Sequence, residues 1–487
     1  MMISLTFFVL FTAIVAIFLA RDDRLVKSLG VLASGVVFGL ALYMWLGSDW
    51  RLPGWHYLEA YPWIPAFGIQ YKVGLDGISM PMYVLTTLLT FLSCIFSWDI
   101  KTRVKEYFTL FLLLEIAILG VFVALDLFLF YVFWEVVLVP MYLIINLWGG
   151  PRKEYAAIKF FLYTFSASLI MLVGIIALYL ATGAKTFDLT ELATLKNTLA
   201  PALQIWIFAA LFVGFVVKMP QVPVHTWLPD AHVEAPTAGS VLLAGVLLKM
   251  GSYGIIRVSL PLLPAGAEFF QPILLFIGVL SIIYGAFVCL AQQDLKRLVA
   301  YSSISHMGAV LLGIALGSEL GILGAVYMMF AHGLISPLLF MIVGAIQHGV
   351  GTREIRLLGG IALKLPKAGF IMIAGALASA GLPGMVQFIA EFLIFVETYR
   401  LLGLFVLLPL LTVIITAGYY LWALRRAVFG EVAPAVASGH DVKAYEFWPM
   451  LALVVLIIFF GIWPAPLLSD IAGAVQPLVT LLGRGIP

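Results

Sequence analysis

The chain has 487 residues, of which 63% are hydrophobic and only 11% charged, with a mean hydropathy of +1.12. Charged residues alone make up about a quarter of a soluble domain, so this composition excludes a water-soluble globule and leaves a polytopic membrane protein. A formal net charge of +2 carries no signature of nucleic-acid binding, and Cys94 and Cys289 lie in separate apolar runs without disulfide, metal or iron–sulfur spacing.

Apolar runs of about 18–25 residues, the length that crosses a bilayer, predict an all-α fold of about fourteen transmembrane helices. They cover residues 2–20, 28–46, 78–98, 107–125, 127–148, 155–182, 201–224, 240–260, 270–291, 299–316, 320–347, 368–399, 404–429 and 446–468. The first lacks a basic leader and a small-residue cleavage site, and is expected to be a retained helix. The apolar tail from Ile471 is expected to lie on the external surface.

Lysine and arginine fall unevenly between alternate loops. One set, from Arg21 to Lys443, carries seventeen; the opposite set, from Arg51 to Arg484, carries seven, while Lys159, Lys218 and Lys249 lie inside spans. The positive-inside rule puts the richer set in the cytoplasm and both termini outside.

Two spans are interrupted. Pro220 and Pro223 break the seventh beside Lys218, and GLPG at 381–384 breaks the twelfth shortly before Glu391. The breaks lie five spans apart, and five is odd. Five-helix units over 107–260 and 270–429 would therefore be inverted repeats, preceded by three helices in 1–106 and followed by the last span and tail in 430–487.

The chemistry lies in ionisable groups buried within these runs. Lys249 is the tenth residue of the run from Ser240 to Leu260 and falls near mid-membrane, where an ionisable group is costly and marks function. Lys218 sits at a helix break, tolerated in a membrane only inside protein or beside a water-filled cavity. Glu135 has no basic residue in its own span, so its partner must come from another helix, with Lys218 matching it in depth. Glu115 is a second mid-span carboxylate, whereas Asp126 lies near an end and is expected to be solvated. His306 and His332 are helical imidazoles suited to proton relay, either of which could be the main one. His225 and His232 occupy a cytoplasmic mouth with Asp230 and Glu234, where the intervening proline argues against a metal; His348 is expected to be solvated.

Strung together, Glu135, Lys218, Lys249, His306 or His332, and Glu391 form an alternating acid–base chain that can pass protons. Nothing in the sequence supports a metal or redox cofactor, so any energy source must be external.

These residues lie in long motifs: FYVFWEVVLVPMYLIINLWGG at 130–150, HTWLPDAHVEAPTAGSVLLAGVLLKMGSYG at 225–254, LVAYSSISHMG at 298–308 and GLPGMVQFIAEF at 381–392. The chain resembles, over nearly its whole length, the antiporter-like membrane subunits of respiratory complex I, most closely their M-type branch. The resemblance implies that Glu135 and Lys218 form the input pair, Lys249 the central relay and Glu391 the exit, with the histidines between. It further implies that NADH, FMN, iron–sulfur clusters and quinone belong to partner subunits, and that other membrane subunits, especially adjacent antiporter-like ones, and lipid surround the chain in a bacterial inner membrane. Sodium/proton antiporter subunits and membrane-bound hydrogenases share this plan, and a purely structural subunit is a further alternative. The antiporters commonly carry lysine at the exit, so Glu391 favours the complex I branch. The long lateral helix of the related L-type branch is not expected, since about twenty residues follow the last predicted span.

Overall fold

Helix lengths follow the apolar runs. The computed structural model describes residues 1–183 and 185–482, so Arg484 lies outside the described residues. Among those described, thirteen helices are long and apolar enough to cross a membrane.

In chain order, α1 (Met2–Leu19) and α2 (Asp23–Leu46) precede an antiparallel hairpin of β1 (His56–Ile64) and β2 (Ile69–Leu75). Next come α3 (Ser79–Phe96), α4 (Val104–Val123), α5 (Leu127–Val136), α6 (Leu138–Trp148), α7 (Lys153–Ala181) and the short α8 (Leu189–Leu195). The helix α9 (Pro201–Lys218) then breaks before α10 (Trp227–Glu234). A continuous helical run follows: α11 (Thr237–Leu242), a π-helical turn at Leu243–Leu247, α12 (Leu248–Gly254), a second π-helical turn at Ile255–Ser259, and α13 (Leu260–Leu262). The second half holds α14 (Pro264–Leu290), α15 (Leu295–Leu316), α16 (Glu319–Val350) and α17 (Ile361–Lys364). It closes with α18 (Pro366–Ser379), α19 (Val386–Leu402), α20 (Leu407–Ala427), α21 (Pro434–Ala437), α22 (Ala444–Ile462) and α23 (Ala465–Leu481).

The predicted layout accounts for the membrane-crossing helices but not for the β1–β2 hairpin, a correction to the all-α expectation, nor for the short helices α8, α10, α17 and α21 between spans. The twelfth span is α18 plus α19, and a 3-10 turn at Gly403–Val406 divides α19 from α20 within the long apolar stretch Val386–Ala427. The last span ends at Ile462, earlier than expected, because Trp463 and Pro464 end α22 and the tail forms α23 instead. This helix buries Leu467, Ile471 and Val475, and Asp470 accepts from the Trp45 indole at 2.9 Å.

Burial separates the layers. The spans α11–α13, α15 and α16 are almost wholly enclosed, whereas α1, α2 and α19–α20 leave most of their apolar surface uncovered, the pattern of an inner bundle within outer helices facing lipid or partners. Asp126 is a correction: it is fully buried, caps α5 by accepting from Phe128 N and Leu129 N, and accepts from Gln70 N of the hairpin. An Asp before an apolar run is an N-cap, and its burial here pushes the carboxyl above the usual aspartate range despite those three donors.

Candidate functional site

Proline builds the first half of the site. With Pro220 unable to donate, α9 stops at Lys218, and the freed backbone groups are met by protein: Trp227 Nε1 donates to the Val217 carbonyl at 2.9 Å and Val222 N to Ser281 Oγ at 2.9 Å. Lys218, 2% exposed, reaches the Trp134 carbonyl at 3.3 Å and lies 4.2 Å from the centre of its ring. Glu135, half-buried, acts on this ammonium through space; the two form no ion pair, and Glu135 Oε1 has no protein partner. Cation–π contact and a carbonyl thus hold the lysine while its carboxylate stays apart.

Lys249 sits on α12 between the two π-helical turns, irregularities that often mark functional positions. Its Nζ turns back to the Ala244 carbonyl at 2.5 Å and meets His332 Nδ1 at 2.7 Å. Close packing keeps this segment against the broken helix: a Cβ on Gly251 would lie 2.5 Å from the Phe215 carbonyl and 2.9 Å from Met219.

From Lys249 the polar line continues into the second half. The His332 and His306 rings are 5.7 Å apart, and both residues are buried. His306 Nε2 lies 3.3 Å from Ser379 Oγ, which donates to Tyr420 OH at 2.9 Å, and Tyr420 OH donates to Ser302 Oγ at 3.1 Å. On the other side of the ring, His306 Nδ1 lies 3.4 Å from Gln387 Nε2, which donates to Glu391 Oε1 at 2.8 Å and to the Ser379 carbonyl at 2.8 Å. Gln387 thus caps the carbonyl freed at the second break, as Trp227 does at the first.

Glu391 borders a lateral cavity of about 420 Å³ lined by Phe388, Phe392, Phe395 and Tyr399. Its Oε2 would lie 2.6 Å from a Cβ on Gly381, whose φ of +74° is already left-handed. Gly381→Ala is therefore expected to cost roughly 1–2 kcal/mol and to push Glu391 off its position. A thermal-unfolding shift together with reduced proton uptake, measured on the purified assembly, checks this; an unchanged pair of values contradicts it.

The structure brings Lys249, His332, His306 and Glu391 together, with both histidines in line. It places Lys218 and Glu135 beside each other without direct contact. Glu115 is fully buried in α4, neither carboxyl oxygen has a protein partner, and it makes no contact with this line. His225 and His232 are buried deeper than a mouth implies: His225 packs edge-on to Tyr284 and His232 stacks on Phe340 at 4.3 Å, with no ring nitrogen bonded in either. Burial, then the neighbouring Lys296 and Lys249, holds His232 well below the usual histidine range, so it is neutral at physiological pH. Burial and Lys159 lower His225 as well. His348 keeps one face exposed and pairs with Glu446 Oε1 at 3.0 Å. Among the described residues no cluster of three or more His, Cys, Asp or Glu could hold a metal.

The links missing from the sequence reading are Gln387, Ser379 and Tyr420, neutral groups to which no buried-charge rule applies. Gln387 had a signal: it lies four residues before Glu391 and hence on the same helix face.

Residues 124–416 match the family described as "NADH:quinone oxidoreductase/Mrp antiporter, TM". The chain belongs to this family. Its antiporter-like relatives include subunit M of the F(420)H(2) dehydrogenase of Methanosarcina mazei, 42% identical over 97% of both chains. NADH-quinone oxidoreductase subunit M of Rhodobacter capsulatus is 43% identical over 93% of this chain and 90% of the relative. The fold superposes on a chain of respiratory complex I from Thermus thermophilus with a TM-score of 0.91 and 31% identity, covering 99% and 100% of the two chains. A chain of the Mrp complex from Dietzia, 22% identical with a TM-score of 0.86 and 99% of each chain covered, shares the fold. The protein is thus a multi-pass, antiporter-like membrane subunit, and these solved relatives sit in multisubunit assemblies.

Proposed function

We propose that the chain is the proton-translocating membrane subunit of an NADH:quinone oxidoreductase, moving protons through buried Glu, Lys and His side chains while redox chemistry proceeds elsewhere. The observation that carries this reading is the line from Lys249 through His332 and His306 to Glu391, closed by Gln387. Such a line loads and unloads protons as neighbouring charges change. Separation or approach of Glu135 and Lys218 alters the charge on the lysine; the proton passes to Lys249 and leaves through the Glu391 side.

NADH, FMN, iron–sulfur clusters and quinone belong to partner subunits in this reading, with other antiporter-like subunits beside the chain. The F(420)H(2) dehydrogenase relative supports assigning the electron donor to those partners and not to this chain. The seventeen basic residues on one loop set put that face in the cytoplasm of a bacterial plasma membrane and both termini outside. Equivalent breaks at α9–α10 and α18–α19 support inverted units at 107–260 and 270–429, flanked by 1–106 and 430–487.

Glu135→Gln and Lys218→Ala test the function in membrane vesicles, with NADH-driven proton uptake read beside complex abundance on native gels. Lost pumping in an assembled complex is the expected result. Loss of the complex itself would make the chain a scaffold, and sodium-dependent transport without NADH would make it an antiporter subunit.

A further inference from the structure

Gln387 is completely buried, and its amide nitrogen faces three acceptors: Glu391 Oε1, the Ser379 carbonyl and His306 Nδ1. An amide nitrogen has two protons and no lone pair, so this orientation suits an ionised Glu391 and a bare Nδ1 on His306. At the opposite end, Gln387 Oε1 is buried without any partner. A half-turn of the amide exchanges the two ends. Its oxygen would then face Glu391, His306 and the Ser379 carbonyl: the first two favour the turn only when their facing atoms carry protons, and the carbonyl, which never does, favours the nitrogen-inward position throughout.

We propose that Gln387 is a two-position switch that makes His306 and Glu391 gain and lose protons together. With the nitrogen inward, both partners are deprotonated at the facing atoms. A proton arriving on His306 Nδ1 removes an acceptor and supplies a donor, so the amide turns and accepts it. Glu391 loses its N–H donor in the same motion and becomes the next proton acceptor. The turned state therefore holds two more protons than the first, one on His306 Nδ1 and one on Glu391, and turning back releases both; the amide nitrogen keeps its two hydrogens throughout, and no electrons move. The other groups facing this unit are His332 and Lys249 from α16 and α12, Tyr420 from α20 through Ser379, and Tyr399 across the cavity. Gln387 is therefore a positioning residue. This inference rests on the relay reading above.

Infrared difference spectroscopy of the whole assembled oxidoreductase tests it. The carboxyl band of Glu391 is identified by its loss in Glu391→Gln, and the imidazole band by its loss in His306→Phe. In the native protein the two bands should titrate in one joint transition, and His306→Phe should shift the proton affinity of Glu391 by roughly fivefold or more. Gln387→Met, which fills similar space without an amide, should split the transition and reduce protons moved per electron pair. Gln387→Glu, able both to donate and to accept, should keep the bands together. Two separate transitions in the native protein overturn the switch even if Gln387→Met does not assemble; a joint transition surviving in Gln387→Met overturns it as well. Full pumping by Lys249→Met would overturn the relay reading itself. Lost pumping there, with joint titration intact in Gln387→Met, overturns the switch alone.

Discussion

Lys249→Met should leave the oxidoreductase assembled and lower its proton translocation by about a hundredfold, the scale of removing a positioned proton-transfer group. Two energies separate function from folding at this position. An ammonium at the centre of a membrane helix costs about 2.5–3.5 kcal/mol by insertion scales. Lys249 has only the Ala244 carbonyl and His332 to offset that cost, and no carboxylate lies within ion-pair distance among the described residues. A methionine of similar length removes the charge and strands no carboxylate, so the fold should tolerate it or gain from it. Native-gel abundance equal to the unsubstituted protein, with dye-detected proton uptake near background, is the expected pair of observations. Reduced abundance in step with reduced uptake would instead give Lys249 a packing role.

Asp76→Ala should have the opposite signature, with assembly lost first. Asp76 accepts from Ile78 N and Ser79 N at the start of α3 and takes Arg257 Nη2 at 2.7 and 2.6 Å through its two oxygens. Arg257 lies in the second π-helical turn of the Lys249 helix and stacks over Trp55 at 4.7 Å. Both charged side chains are largely buried, so deleting the aspartate strands a guanidinium, at about 3–5 kcal/mol. Loss of the α3 cap adds about 1 kcal/mol. Band intensity on native gels and thermal unfolding of the extracted complex read this directly. Joint replacement of Asp76 and Arg257 by leucine should recover much of the loss, because no charge is then left unpaired. Normal abundance of Asp76→Ala would show that the pair does not hold the Lys249 helix in place.

The sequence made the spans and the buried charges legible for one reason: lipid imposes a length and a polarity rule on every residue. Lys249, Glu391 and the two broken helices stood out because they violate that rule. Neutral polar residues do not violate it, so Gln387, Ser379 and Tyr420 were invisible until helix packing brought them to His306. The π-helical turns around Lys249 also left no mark, since one extra residue per turn does not change an apolar pattern. The hairpin could have been found: HYLEAYPWI and IQYKVGL are short runs flanking a turn at Pro65–Gly68. Asp126 lies at the end of a span yet is buried, because the hairpin covers that end, and a position along one helix carries no sign of a cover supplied from elsewhere in the chain. The separation of Glu135 from Lys218 could not be inferred either, as depth along two helices does not fix the distance between their side chains.

A serial relay is tested most directly by the ratio of protons translocated to electrons transferred in vesicles carrying Lys249→Met, Glu391→Gln and the two together. Groups that act in one line fail as a unit, so the double variant should show the same ratio as either single variant, at native complex abundance. Single variants that keep the native ratio, or losses that add in the double variant, would contradict a proton path running from Lys249 to Glu391.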